Sequence, residues 1–333
     1  MTPDTPPQPT TIQKLSTAVY PSFAMLAGMQ LDVFTPLQDG AMTAAQLAGA
    51  LGVKAEKLSP LLYALVAAEL LTVEGERFAN TAEADHFLVQ GKPTYMGGRH
   101  GVLSGRWHAA LKTATSIRTG EPQAPRDYAG ASPEELEAFF RRRHPQSLQS
   151  GQELAARYDL SSAKTLVDIG GGSGGLAMVV TEAHPHLHAT VVDLPTVTPI
   201  AQRFIEEAGA TERISVLAAD VVNETLPGTF DVAVLSAFIQ VLSPDQARRA
   251  LTHVYQALNP GGVLYIRGVI LDNSRLSPLE MVGSGLVFLN TFRQGGAYTE
   301  QEYHDWLAEA GFVDVERDVL ADANSFIRAR KPV

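Results

Sequence analysis

A chain of 333 residues is long enough for two domains at the usual size of about 100–200 residues each. An apolar content of 45%, a charged fraction of 19% and a formal charge of −10 describe an ordinary globular protein and argue against nucleic acid or an acidic membrane surface as partner. With no cysteine there is no disulfide framework or thiolate metal site, and no apolar run reaches the roughly 18–20 residues that span a bilayer, so a cytoplasmic protein is expected.

Residues 1–13, rich in Pro and Thr without an apolar signal core, are expected to be a disordered tail. Residues 14–92 read as a compact helical module. Tyr20 to Leu37 carries Phe23, Leu26, Leu31, Val33 and Phe34 at mixed spacing, as in a helix buried on more than one side. Thr43, with Gln46 three residues on, predicts a capping box. An amphipathic helix over Lys57 to Leu71 precedes a hairpin through Ala79, with its turn at Glu74-Gly75. Helix–turn–helix plus wing is a DNA-binding shape, but the second helix offers two lysines among Leu, Ala and Tyr. A reader helix needs Arg, Lys, Asn or Gln facing the groove, so packing and dimerisation are the stronger reading.

Residues 93–160 read as bridging helices that contribute to a substrate pocket. Gly120 to Pro125 is a loop, and Ser132-Pro133-Glu134-Glu135 opens a helix with a capping box and Pro at its first position. From residue 161 to the end the pattern is α/β. Thr165 to Ile169 is a short apolar strand, followed by Gly170-Gly171-Gly172-Ser173-Gly174-Gly175 and a helix from Leu176. Glycines let a ligand approach bare peptide N–H groups, and the helix start adds unpaired donors and positive partial charge. A second strand ends at Asp193, about 20 residues beyond the turn, where an acid can accept both hydroxyls of a ribose. Strands from Ile214 and Phe230 end near Asp220-Val221 and Ser236. In an open α/β sheet these carboxyl ends converge on one cleft. Asp168 would be a poor neighbour for a phosphate, whereas a carboxylate-lined cleft suits the cationic S-adenosylmethionine (AdoMet). Asn259-Pro260-Gly261-Gly262 is read as a turn into a strand from Val263. Thr299 and Glu302 cap a helix ending at Gly311, and strands follow at Val313 to Val319 and Ser325 to Ala329.

In this order, the winged module, the bridging helices, Val-Asp-Ile-Gly-Gly-Gly-Ser-Gly, Val-Val-Asp-Leu-Pro, Ala-Ala-Asp, Leu-Asn-Pro-Gly-Gly and Tyr-Thr-Glu-Gln-Glu-Tyr resemble the AdoMet-dependent O-methyltransferases of the caffeate/hydroxyindole type over residues 15 to 331. The resemblance implies a class I, Rossmann-like, seven-stranded methyltransferase domain behind an N-terminal winged-helix domain that makes a homodimer. It implies AdoMet as cofactor, S-adenosylhomocysteine as product and a small-molecule acceptor. Gly170 and Gly172 would approach the methionine moiety, Asp168 and Gly171 are further cofactor contacts, and Asp193 would hold the ribose. Leu194, Asp220 and Val221 would meet the adenine, with Ser236 at the carboxypropyl end and Ser147 reaching in from a bridging helix.

One departure bears on the chemistry. Where such enzymes carry a His that removes a phenol proton, this chain has Gln240, which only donates and accepts hydrogen bonds. Methyl transfer is an in-line displacement in which alignment contributes much of the rate, and an acceptor with no proton to lose needs no base. The expectation is a sulfur, nitrogen or activated carbon or oxygen acceptor oriented by Gln240, with His144 or His100 as the candidate replacement bases. Tyr95, Trp107, Phe140, Arg142, Met281, Phe288 and Asn290 are the candidate acceptor contacts, with Phe139 also shaping the pocket and Arg142 or Arg143 able to clamp an acceptor carboxylate. His184, His186 and His188 are read as surface residues, and no metal is expected. The alternative is an AdoMet-binding protein that catalyses a hydroxylation, decarboxylation or rearrangement.

Overall fold

The computed structural model describes residues 7–333, with Arg99 by its backbone only. The chain forms two compact units, residues 1–107 and 108–333, so the division falls within the stretch expected to bridge.

In the first unit, α1 (Thr10–Thr17) and α2 (Val19–Leu31) precede β1 (Met42–Thr43), α3 (Ala44–Leu51) and α4 (Ala55–Ala67). Then follow β2 (Leu71–Glu74), β3 (Arg77–Asn80), α5 (Ala82–Leu88) and α6 (His100–Ala110), which runs past the unit boundary. The expected tail is therefore helical from Thr10, while residues 1–6 of it lie outside the described residues. The segment read as a helix to Leu37 stops at Leu31, because Asp32 takes a left-handed φ of 56° and accepts a hydrogen bond from Thr35 Oγ1. Thr43 and Gln46 form the reciprocal capping box at the start of α3. The hairpin turns at Gly75-Glu76, one residue later than expected, since Glu74 still pairs with Arg77. A sheet ordered β1–β3–β2 closes over Leu47, Leu58, Leu62, Leu65 and Phe78.

The second unit begins with α7 (Thr113–Thr119) and the 25-residue α8 (Pro133–Arg157), whose Ser132–Glu135 capping box is complete. Next come β4 (Thr165–Ile169), α9 (Gly175–Ala183), β5 (His188–Asp193), α10 (Thr198–Glu207), β6 (Ile214–Ala218) and β7 (Phe230–Ser236). The remainder is α11 (Pro244–Ala257), β8 (Leu258–Gly268), β9 (Ile270–Leu271), α12 (Leu279–Val282), α13 (Ser284–Thr291), β10 (Tyr298–Thr299), α14 (Glu300–Ala310), β11 (Val313–Val319) and β12 (Ser325–Arg330).

Seven strands form one sheet, ordered β11–β12–β8–β7–β4–β5–β6 and parallel from β8 to β6, with β12 antiparallel beside β8. This is the doubly wound class I methyltransferase sheet. Its inner strands are buried on both faces, as parallel strands must be when helices cover each side. Alternation sends Val167, Ile169, Ala233 and Leu235 to one core and Leu166, Val232, Val234 and Tyr265 to the other. The helices answer in period: α11 buries Ala247, Ala250, Leu251, Val254 and Ala257 behind a Ser243–Gln246 capping box. The turn expected at Asn259–Gly262 is absorbed into β8 as an irregularity, with Gly261 and Gly262 bonding the Lys331 backbone.

Candidate functional site

At the carboxyl ends of β4, β5, β7 and β8 the second unit opens a cavity of about 330 Å³. Among its lining are Asp168, Gly170, Gly171, Gly172, Asp193, Leu194, Asp220, Val221, Ser236, Ser147 and Phe140. Strand order accounts for the convergence: β4 lies between β5 and β7, so the glycine-rich turn after β4 sits at the centre of the rim.

The turn is built around two carboxylates. Asp168 is 1% exposed, and neither of its oxygens has a hydrogen-bond partner. Burial, with the nearby charge of Asp193 adding to it, pushes its carboxyl up to about 7. A Cβ on Gly171 would stand 2.7 Å from the Asp168 Oδ2, so only glycine lets the turn close over that side chain. Gly172 takes φ 58°, a left-handed conformation that favours glycine, and its N–H donates to Asp193 Oδ2 at 2.9 Å. The Leu194 N–H donates to Asp193 Oδ1 at 2.8 Å. Burial still pushes Asp193 up to about 6, with these two bonds opposing the rise. Asp220 accepts from the Val222 N–H at 3.0 Å and from Asn223 Nδ2 at 2.6 Å, which curls the chain after β6 along the cavity.

One face of α8 holds the turn from above. Phe140, His144, Ser147 and Gly151 recur at spacings of four, three and four, as residues on one helical face do. The Phe140 ring lies against Gly172, and His144 Nδ1 is 2.8 Å from Ser173 Oγ. Ser147 Oγ accepts from the Leu176 N–H at 3.0 Å in the first turn of α9, and Gly151 lets α9 approach within contact of its backbone. Tyr128, Phe139 and Phe140 form an edge-to-face aromatic cluster beside the turn, with Arg126 4.4 Å from the Phe139 ring centroid.

Several expected acceptor contacts are spent elsewhere. Asn290 is fully buried on α13: its Oδ1 accepts from Ser116 Oγ at 2.6 Å, and its Nδ2 donates to Thr113 Oγ1 (2.8 Å) and the Leu286 carbonyl (2.7 Å). Its amide thus ties α7 to α13 and has no donor left for a substrate. The Gln240 Oε1 faces the Val269 N–H at 3.5 Å, so its side chain turns toward the end of β8, and the residue is not among those lining the cavity. His144 has committed Nδ1 to Ser173, and its ring lies on Phe204. Burial and then Arg141 lower its pKa, so it is a neutral brace behind the turn. Arg142 is exposed. Arg143, one residue on and in phase with Phe140 and Ser147, lines the cavity instead. Phe288 is buried against Phe292, and Met281 meets Ser284. Tyr95, His100 and Trp107 belong to the first unit, where Trp107 meets Phe23 edge-on.

The sequence reading also missed Tyr128, Phe238, Gln246 and Arg267 in the lining. Helical phase counted from the Ser132 cap would have selected Arg143. Strand alternation from Tyr265 would have singled out Arg267. Among the described residues no group of His, Asp and Glu side chains could hold a metal ion.

Whether AdoMet fits can be judged from the lining itself. A buried carboxylate with both oxygens unpartnered calls for a cationic ligand, because an isolated buried charge is costly. An α-ammonium supplies that cation, while each oxygen of Asp193, with one N–H bond apiece, keeps acceptor capacity for a ribose hydroxyl.

An O-methyltransferase domain family matches residues 120–313, and an O-methyltransferase dimerisation domain matches residues 13–90. The chain is 33% identical to the 3-hydroxy-5-methyl-1-naphthoate 3-O-methyltransferase of Streptomyces sahachiroi, over 93% of this chain and 92% of that one. It is 30% identical to the N,N-dimethyltransferase OxyT of Streptomyces rimosus, over 92% and 91%. The structure of the S-adenosylmethionine-dependent methyltransferase SibL superposes with a TM-score of 0.79 at 26% identity, covering 98% of this chain and all of that one.

Proposed function

The chain belongs to the AdoMet-dependent O-methyltransferase family and methylates a small molecule, and from that premise we propose that its acceptor is aromatic and presents a nucleophile that needs no protein base. What supports this is Gln240, at the position where the resemblance expects a His, together with a cavity lining in which no His stands among the described residues. The name of the naphthoate O-methyltransferase supports an aromatic hydroxyl acceptor, and that of the N,N-dimethyltransferase supports methylation at nitrogen. They give no support to a hydroxylating or decarboxylating alternative.

AdoMet, when bound, supplies an activated methyl group. Asp168 would hold its ammonium, Asp193 its ribose, and Asp220 and Val221 its adenine. The chain's own contribution is alignment: α8 fixes the glycine-rich turn through Ser147 and His144, and the Tyr128–Phe139–Phe140 cluster keeps water from that side of the cavity. Orientation of this kind supplies up to about 7–11 kcal/mol in favourable intramolecular systems. The acceptor then brings either an amine lone pair or a hydroxyl acidic enough to be ionised near neutrality.

The first unit supports assembly as a homodimer. Ile12, Leu15, Val19 and Phe23, at spacings of three and four, leave an exposed apolar stripe along α1 and α2, all but Ile12 within the matched dimerisation domain. The cytoplasm, where AdoMet is made, is the compartment this reading places it in.

The test is S-adenosylhomocysteine release with an arylamine, an ortho-hydroxyarenoate and a simple phenol across pH 6 to 9. The amine and the acidified hydroxyl should turn over. The phenol rate should climb about tenfold per pH unit, as the phenolate fraction does. A phenol rate that is high and flat near neutrality would mean that a protein base exists, and the reading would fall. Gln240→His should raise the phenol rate at pH 7 and leave the amine rate within about twofold.

A further inference from the structure

Arg267 is a buried cation that the reading above leaves unused. It stands at the carboxyl end of β8, is 3% exposed and lines the cavity. Strand alternation places it on the same face as Tyr265, as it places Asp168 with Leu166 and Ser236 with Val234. Leu166, Val234 and Tyr265 share one core cluster. Asp168, Ser236 and Arg267 therefore lie on one face of the adjacent strands β4, β7 and β8, with Ser236 in register beside Arg267 and Asp168 in register with Val234, two residues back along the strands. Two strand spacings of about 4.8 Å and a two-residue offset of about 6.6 Å put the backbones of the buried anion and the buried cation roughly 12 Å apart, with both residues in the lining of one cavity.

The guanidinium is held from its outer side. Its Nε donates to Glu153 on α8 at 2.7 Å, and its Nη2 donates to Asp322 before β12 at 3.2 Å. Both carboxylates are partly exposed, so water reaches them from outside. Nη1, with two further N–H donors, makes no hydrogen bond among the described residues. The other cation in the lining, Arg143, lies 6.0 Å from the Phe139 ring centroid on the aromatic side. An amino-acid end carries its ammonium and its carboxylate on one carbon, so a site that holds it needs an anion and a cation facing each other across a short gap.

We propose that Arg267 is the residue that binds the carboxylate of AdoMet, opposite Asp168, and that Glu153 and Asp322 hold its guanidinium for that contact. This rests on reading the cavity as the AdoMet site. A charge-assisted bond from a fixed guanidinium discriminates strongly for a carboxylate, and the same triad ties α8 to the sheet behind the glycine-rich turn.

The experiment is calorimetric titration of the full chain with three ligands. S-adenosylhomocysteine carries both charges, S-adenosyl-3-thiopropylamine keeps the ammonium but lacks the carboxylate, and 5′-methylthioadenosine lacks both. Arg267→Gln should weaken S-adenosylhomocysteine by roughly 10- to 100-fold and change the other two by less than about threefold. Equal losses for all three ligands would make Arg267 a structural clamp only, and an unchanged S-adenosylhomocysteine affinity would remove it from the site; either result overturns the proposal. Wild-type protein that binds none of the three overturns the cofactor reading as well. Should Arg267→Gln not fold, Arg267→Lys carries the test. Its shorter, single-point cation should lower the ratio of S-adenosylhomocysteine to thiopropylamine affinity by about three- to tenfold, and an unchanged ratio overturns the proposal.

Discussion

At the carboxyl rim of β4, Asp168 is buried with both oxygens unpartnered. Asn290 on α13 is equally buried, yet its amide is taken up by Ser116, Thr113 and the Leu286 carbonyl. Both are polar residues in a protein interior, where an unmet hydrogen bond is expensive. At the rim of a cleft an unpartnered carboxylate has bonds left for a ligand, whereas a satisfied amide is part of the scaffold. Asp168 is of the first kind and Asn290 of the second. The difference explains why residue type alone misjudged Asn290: an asparagine near a cleft looks like a substrate contact until its partners are counted.

Substitutions at four residues bear on this contrast. Asp193→Ala removes the acceptor of the Gly172 and Leu194 N–H groups and of the ribose hydroxyls together. It should weaken AdoMet by about 100-fold or more, measured calorimetrically with the fold checked by circular dichroism. Retained affinity would detach the ribose from β5.

Asn290→Ala should do the reverse, lowering stability by about 2–3 kcal/mol in a denaturant titration while AdoMet affinity stays within about twofold. If it instead raised the acceptor KM at unchanged stability, Asn290 would belong to the site and the contrast would fail.

Asp168→Asn keeps the shape and removes the charge, and should weaken AdoMet by about 10- to 30-fold at pH 8. The wild-type carboxyl, raised to about 7, makes the folded protein hold a proton that the unfolded chain releases near its ordinary value. Its stabilising contribution is therefore full below about pH 4 and is lost as pH rises through about 7, while affinity for the cationic ligand rises over the same range. The asparagine variant should flatten both profiles. A pH-independent wild type would show that Asp168 ionises freely.

The smallest effect belongs to the brace. His144→Ala should raise the AdoMet Kd by about three- to tenfold by loosening Ser173, and His144→Asn, which can still reach the hydroxyl, should recover part of that loss. A lost acceptor rate at unchanged cofactor affinity would return His144 to the role of base.

Local chemistry determined a large part of this protein directly. Capping boxes at Thr43, Ser132 and Thr299 marked helix starts because an N-cap and its partner three residues on satisfy orphan amides without help from the rest of the fold. Apolar runs bounded by Gly and Asp marked β4 to β7 and their carboxyl ends, and with them the Asp168, Asp193 and glycine-turn side of the site. Tertiary structure decided what sequence-local rules cannot reach. The left-handed Asp32 ended α2 early, the phase of α8 chose Arg143 over Arg142, and contacts across 174 and 177 residues consumed the amide of Asn290. Arg267 belongs to the same class. Its place in the cavity depends on strand order, on the face that alternation assigns it, and on carboxylates from α8 and from the turn before β12. A side chain's identity states which bonds it can make, and only the packed fold determines which of them the protein has already used.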